Sequence, residues 1–162
     1  MYCANAGDSR CVLAANGKAT DLSEDHKPAL PGEKRRIEKA GSMITPEGRV
    51  DGNLNLSRSI GDLRYKKNKD LTPQEHPVTA FPEIKKVARS PEHDFVILAC
   101  DGIWEAKSSQ DVVDFVYEQK RQGIENGVII SNLLDSILSP SLEQTEGKGG
   151  DNMTCIIVDL KP

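Results

Sequence analysis

Six consecutive apolar residues, Phe95 to Cys100, run directly into Asp101 and Gly102. A short, unbroken apolar run rich in branched and aromatic residues reads as a strand buried on both faces, although a buried helix segment has the same look. The strand reading is preferred because the run is short and a turn dipeptide stops it. A carboxylate at the exit of a buried strand sits on a rigid support where it can do chemistry. The plainer alternative is that Asp101 only starts the turn.

A second strand-like run bears on that choice. Gly149-Gly150-Asp151-Asn152 leads into Met153 to Val158, with an acidic residue at the entrance. If the two strands pair antiparallel, the exit of one lies beside the entrance of the other. Neighbouring strands are roughly 4.8 Å apart, so Asp101 and Asp151 are placed to share one cation. Without a cation, two anions that close would repel until one took up a proton. An oxygen-only pair favours a hard ion, Mg2+ or Mn2+, over zinc.

The rest of the chain sets bounds on this reading. At 162 residues it is of single-domain length, with 37% hydrophobic and 28% charged residues and a formal net charge of -4, so general nucleic-acid binding is not indicated. Cys3, Cys11, Cys100 and Cys155 form no C-x-x-C pair and lie in apolar, strand-like context. There a free thiol behaves as a small hydrophobe, which argues against a zinc site or a disulfide framework and for a reducing compartment. No run is long enough for a membrane span and no signal-peptide pattern is seen, so the expected location is intracellular, cytoplasmic or nuclear.

In chain order, Tyr2 to Ala6 reads as a strand, Gly7 to Arg10 as a turn, Cys11 to Ala15 as the returning strand, and Asn16-Gly17 as a hairpin turn. The expectation is a β-meander that begins inside a sheet, and hence a piece of something longer with an exposed edge. Gly32 to Ala40 reads as a short helix with Ile37 and Ala40 inward and its charges solvated. Ser42 to Asn55 suggests short strands, Leu56 to Asp62 is ambiguous, and Arg64 to Pro77 is a basic connector, either a rim for acidic partners or a solvated loop. Glu83 to Ala88 reads as a strand. Helices are expected after Ser108 or Ser109 and over Asn126 to Leu138, then a flexible Gly-rich approach, Glu143 to Gly150.

Six ordered blocks then carry a resemblance: Ala4 to Arg10, Asp25 to Pro28, Glu33 to Gly41, Leu56 to Asp62, Ala99 to Trp104, and Gly150 to Thr154. Together they resemble the metal-dependent serine/threonine phosphatases of the protein phosphatase 2C type, with Ser42, Asp51 and Glu105 as mild departures. The resemblance spans almost the whole chain. It implies an α+β fold, part of a four-layer α/β/β/α sandwich of two antiparallel sheets flanked by helices, with residues 1–162 as the C-terminal portion of one incomplete domain whose N-terminal portion is missing.

The same resemblance implies a centre of two Mg2+ or Mn2+ ions, with Asp101 and Asp151 on one of them, Gly102 in the metal set, and Asp8 helping to hold a weaker third ion beside Asp101. It implies hydrolysis of phosphoserine and phosphothreonine in protein substrates by metal-activated water, with Lys27 to Gly41 as a flap beside the site. Arg49, Arg58 and Asn152 are candidates for phosphate or acidic substrate, though both arginines could equally be structural ion-pair formers. The family's Asp-Gly-His-Gly strand, upstream Arg and second-metal Glu are not found. A chain lacking them is expected to hold one ion weakly or none, to turn over little, and to self-associate through exposed sheet edges or be marginally stable. The alternative is a non-catalytic, phosphatase-like interaction or regulatory module.

Overall fold

In the computed structural model, residues 1–160 are described except 142, 144, 146 and 148. The chain divides into two compact units: residues 1, 9–23 and 86–162 form the first, and 2–8 and 24–85 the second. Each unit holds one sheet, and the class is α+β, with two antiparallel sheets accompanied by helices.

The first unit is built on a four-stranded antiparallel sheet. Its strands are β2 (Arg10–Ala15), β3 (Lys18–Asp21), β5 (His93–Ala99) and β6 (Cys155–Asp159), in the order β3-β2-β5-β6. Two-residue periodicity sends Val12, Ala14, Phe95, Ile97, Ala99 and Ile157 to one face. Against that face pack α3 (Ser109–Arg121), through Val112, Val113 and Val116, and α4 (Asn126–Ile137), through Ile129, Leu133 and Ile137. Each fully buried branched or aromatic side chain contributes about 1.5–3 kcal/mol. The start of α3 is fixed by a capping box, in which Ser108 Oγ accepts from the Asp111 amide while the Asp111 carboxylate accepts from the Ser108 amide.

On the opposite face the sequence reading of β5 as buried on both sides holds for Val96, which is buried, and fails at Leu98, as it does for the neighbouring β6. Leu98, Ile156 and Val158 are 40%, 53% and 45% exposed there. A continuous apolar run therefore marks a strand correctly without saying that both of its faces are covered within this chain.

Asn16 and Gly17 close the β2–β3 hairpin with Ala15 opposite Lys18. Both have positive φ, 50° and 81°, as the two-residue turn requires. Gly17→Ala meets no atom within 4 Å, so its penalty is conformational. A loss of about 1 kcal/mol in urea denaturation is expected.

The meander expectation is corrected. The strand β1 (Tyr2–Asn5) does not return onto β2; it pairs with β4 (Glu83–Lys86) in a separate two-stranded sheet of the second unit. Turn residues at Gly7-Asp8 bend the chain, but a bend does not choose a strand's partner. The second unit also contains α1 (Pro31–Lys39), a 3-10 turn at Leu63–Lys66, and a small core of Ile37, Val50, Tyr65 and Val78. In place of regular strands, 42–55 contains isolated bridges, Ile44 with Val50 and Val50 with Leu54. Two of the departures noted above meet here: the Asp51 carboxylate accepts from Ser42 Oγ (3.0 Å) and the Met43 amide (2.9 Å). The Gly-rich approach at 143–150 lies partly outside the described residues.

Candidate functional site

Antiparallel pairing of β5 with β6 is present, with Ala99 opposite Cys155. One step beyond, the Cys100 amide donates to the Thr154 carbonyl (3.2 Å). The exit of β5 and the entrance of β6 therefore lie side by side, and Asp101 and Asp151 flank the same end of the strand pair.

Asp101 is the first residue of a short helical turn, α2 (Asp101–Trp104). The buried Trp104 indole N–H donates to the Ala99 carbonyl (2.7 Å), pinning α2 onto the strand it leaves. The Arg10 guanidinium lies over the Trp104 ring at 5.2 Å and donates to Ser109 Oγ (2.9 Å). Asp101 is half-buried and Asp151 exposed.

Gly102 brings the two segments into close approach. A β-carbon there would lie 2.4 Å from the Asn152 carbonyl oxygen. On the facing segment, the Asn152 amide donates to Asp151 Oδ1 (2.7 Å), holding that carboxylate against its own backbone. Asn152 thus contributes through its main chain.

This donor set fits a hard divalent cation in kind: carboxylate and carbonyl oxygens at one rim. The nearby thiols are unsuited to soft-metal binding. Cys100 Sγ is engaged by backbone groups at 3.2 and 3.3 Å, and burial, followed by the neighbouring Cys100, pushes the Cys155 thiol up to about 11. In number the set is short: among the described residues no group of three or more His, Cys, Asp or Glu side chains is placed to hold a metal ion.

The other candidates belong to the second unit. Asp8 is buried, and its carboxylate accepts from Lys27 Nζ at 2.6 Å. Arg49 donates to the Asn53 carbonyl (2.7 Å). Arg58 is held by Glu33: its Nη2 donates to Oε1 at 2.6 Å, and its Nε lies 3.2 and 3.1 Å from the two carboxylate oxygens. Arg58 also borders a cleft of about 220 Å3 that Glu24, Glu33 and Glu83 line as well, a charge balance ill suited to phosphate.

The sequence reading took the charges of α1 as solvated, and Glu33 corrects it. Glu33 is 5% exposed and accepts from Arg36 Nη1 (2.8 Å) and Ser57 Oγ (2.5 Å) as well as from Arg58. Burial opposes its ionisation, but the hydrogen bonds from Arg58, Ser57 and Arg36, with the Arg36 charge, outweigh it and hold the carboxyl at about 2.

Comparison with known proteins gives this geometry a context. The family profile described as Protein phosphatase 2C matches residues 1–145. The chain belongs to the protein phosphatase 2C family. It is 51% identical over 168 positions to protein phosphatase 1G of Rattus norvegicus, an alignment covering 100% of this chain and 31% of the rat protein. It is 49% identical over 161 positions to probable protein phosphatase 2C 58 of Oryza sativa subsp. japonica, covering 99% of this chain and 43% of that protein. Among solved structures, a phosphatase from a pathogenic strain of Toxoplasma gondii superposes with a TM-score of 0.82 at 32% identity, over 99% of this chain and 50% of that one. The protein phosphatase 2C chain described here thus spans about a third to a half of the length of these relatives.

Proposed function

We propose that this chain supplies part of the metal centre of a Mg2+- or Mn2+-dependent phosphatase acting on phosphoserine and phosphothreonine in protein substrates. One observation carries the reading: two carboxylates 50 positions apart in sequence, Asp101 and Asp151, flank the same end of the β5–β6 pair. They would hold the ion, with Gly102 leaving room for the facing backbone. When bound, such an ion polarises a phosphoryl oxygen and acidifies water. The protein's part is positional: Trp104 fixes the turn that presents Asp101, and the Asn152 amide orients Asp151. Asp8 is a candidate for a further ion, the Lys27 ammonium now lying against its carboxylate where a cation would.

The name protein phosphatase 1G, borne by relatives at about half identity, supports the substrate class. Free thiols at Cys3, Cys11, Cys100 and Cys155 support an intracellular setting. No helix among the described residues is long and apolar enough to cross a membrane. The exposed Leu98, Ile156 and Val158 support the proposal of self-association. A second reading, a non-catalytic phosphatase-like module, is favoured by the missing third side-chain donor among the described residues; on that reading the chain binds partners without hydrolysis.

The test is Mn2+-dependent release of phosphate from a phosphothreonine peptide, by this chain and by a longer one that adds the upstream half of the family domain. Hydrolysis by the longer chain, with little or none by this one, is expected. Hydrolysis by neither would overturn the enzymatic reading.

A further inference from the structure

We propose that Cys100 is a positioning residue for the Asp101–Asp151 pair; its bearing on cation binding rests on the reading just given. The sequence presents Cys100 as the last apolar residue of a strand, and its thiol would ordinarily be a small hydrophobe. Its sulfur instead bridges to the facing segment. Cys100 Sγ accepts from the Thr154 amide at 3.2 Å and donates to the Asn152 carbonyl at 3.3 Å.

The Asn152 carbonyl is the point where three features meet. It receives the Cys100 thiol, it is the oxygen against which Gly102 packs, and it belongs to the residue whose amide holds Asp151 Oδ1 at 2.7 Å. Asp101 is bonded directly to Cys100. One side chain therefore fixes the backbone carrying the first carboxylate and, through residue 152, the orientation of the second.

A methyl group in place of the thiol leaves the Thr154 amide without its acceptor and releases the Asn152 carbonyl. A hydroxyl can both accept and donate in the same way. Serine should therefore substitute and alanine should not.

The experiment compares wild type, Cys100→Ala, Cys100→Ser and Ile129→Val in this chain. Ile129→Val thins the core at α4, away from the strand ends. Amide hydrogen exchange at Thr154 and Mn2+-induced broadening of the amide signals of Asp101 and Asp151 are read by NMR. In Cys100→Ala the Thr154 amide should exchange about fivefold faster or more relative to the core amides. The Mn2+ concentration at half-broadening should rise about 10-fold, the lower end of what loss of a ligand's outer partner produces. Cys100→Ser should recover most of both, and Ile129→Val should move neither beyond its effect on global stability. Thr154 exchange unchanged in Cys100→Ala, or changed no more than in Ile129→Val, overturns the positioning role. A wild-type chain in which Mn2+ broadens neither signal removes the cation reading for this chain, and the exchange result still decides whether Cys100 holds the pair.

Discussion

Glu33→Gln should be among the most destabilising single substitutions in this chain, by about 3–5 kcal/mol. The amide is nearly isosteric, so the loss is electrostatic. Arg36 and Arg58 are only 15% and 17% exposed, and the change leaves two positive charges facing a neutral group that itself carries two donors. Arg36 also donates to the carbonyls of Ser57 and His76, so the disturbance reaches from α1 to both neighbouring segments. The midpoint of urea unfolding at neutral pH measures it.

Acid should erase the difference. The Glu33 carboxyl is held at about 2, against an ordinary value of 4.5. A group whose pKa is depressed on folding stabilises above its unfolded value, and that stabilisation fades as pH falls toward the folded value. A shift of this size corresponds to about 3 kcal/mol, present in full above pH ~5 and lost progressively toward pH ~2. The stability gap between wild type and Glu33→Gln should close over that window. Glu75 is held low mainly by hydrogen bonds from Thr72 and then by Lys39. It is present in both proteins and drops out of the comparison. A gap that persists unchanged at pH 2–3 would show that Glu33 acts through shape rather than charge.

Glu33 also marks where sequence reasoning stopped. GEKRRIEKA carries six charges in nine residues, and charge on a short helix ordinarily means solvent. The partners that bury Glu33 are Ser57 and Arg58, some 25 positions away in a stretch whose own type was ambiguous, and no local pattern announces that pairing. The misplaced β1 has the same cause. Alternation identifies a strand but not its neighbour, and β1 finds β4 about 80 residues downstream. What was legible was whatever local spacing encodes: the Asn16-Gly17 turn, the Ser108 cap, the two apolar helix faces, and the apolar runs of β5 and β6. The candidate site was legible for a related reason, since antiparallel pairing alone brings a strand's exit to its partner's entrance. The work of Cys100 and Gly102 was not, because hydrogen bonding to sulfur and close backbone approach leave no periodic trace.

Gly102→Ala is expected to cost about 1–3 kcal/mol or more and to abolish the cation binding proposed for the Asp101–Asp151 rim, for a reason unlike that at Gly17. Gly102 does not have positive φ; what an added methyl lacks is space. The new β-carbon would lie 2.4 Å from the Asn152 oxygen, 3.2 Å from its carbonyl carbon and 3.3 Å from Met153 Cγ. The methionine can move, but the carbonyl cannot do so cheaply, because the Cys100 thiol holds it and the Cys100 amide holds Thr154 beside it. Relief therefore requires α2 or the 151–154 segment to swing away, which parts the two carboxylates. Gly32, in the first turn of α1, is the control: it has open space and no positive φ, so Gly32→Ala should be neutral or stabilise by up to about 1 kcal/mol. Urea denaturation and Mn2+ titration of both variants separate the cases. Wild-type Mn2+ affinity in Gly102→Ala would mean that the ion, if it binds, does not depend on the approach of residue 102 to residue 152.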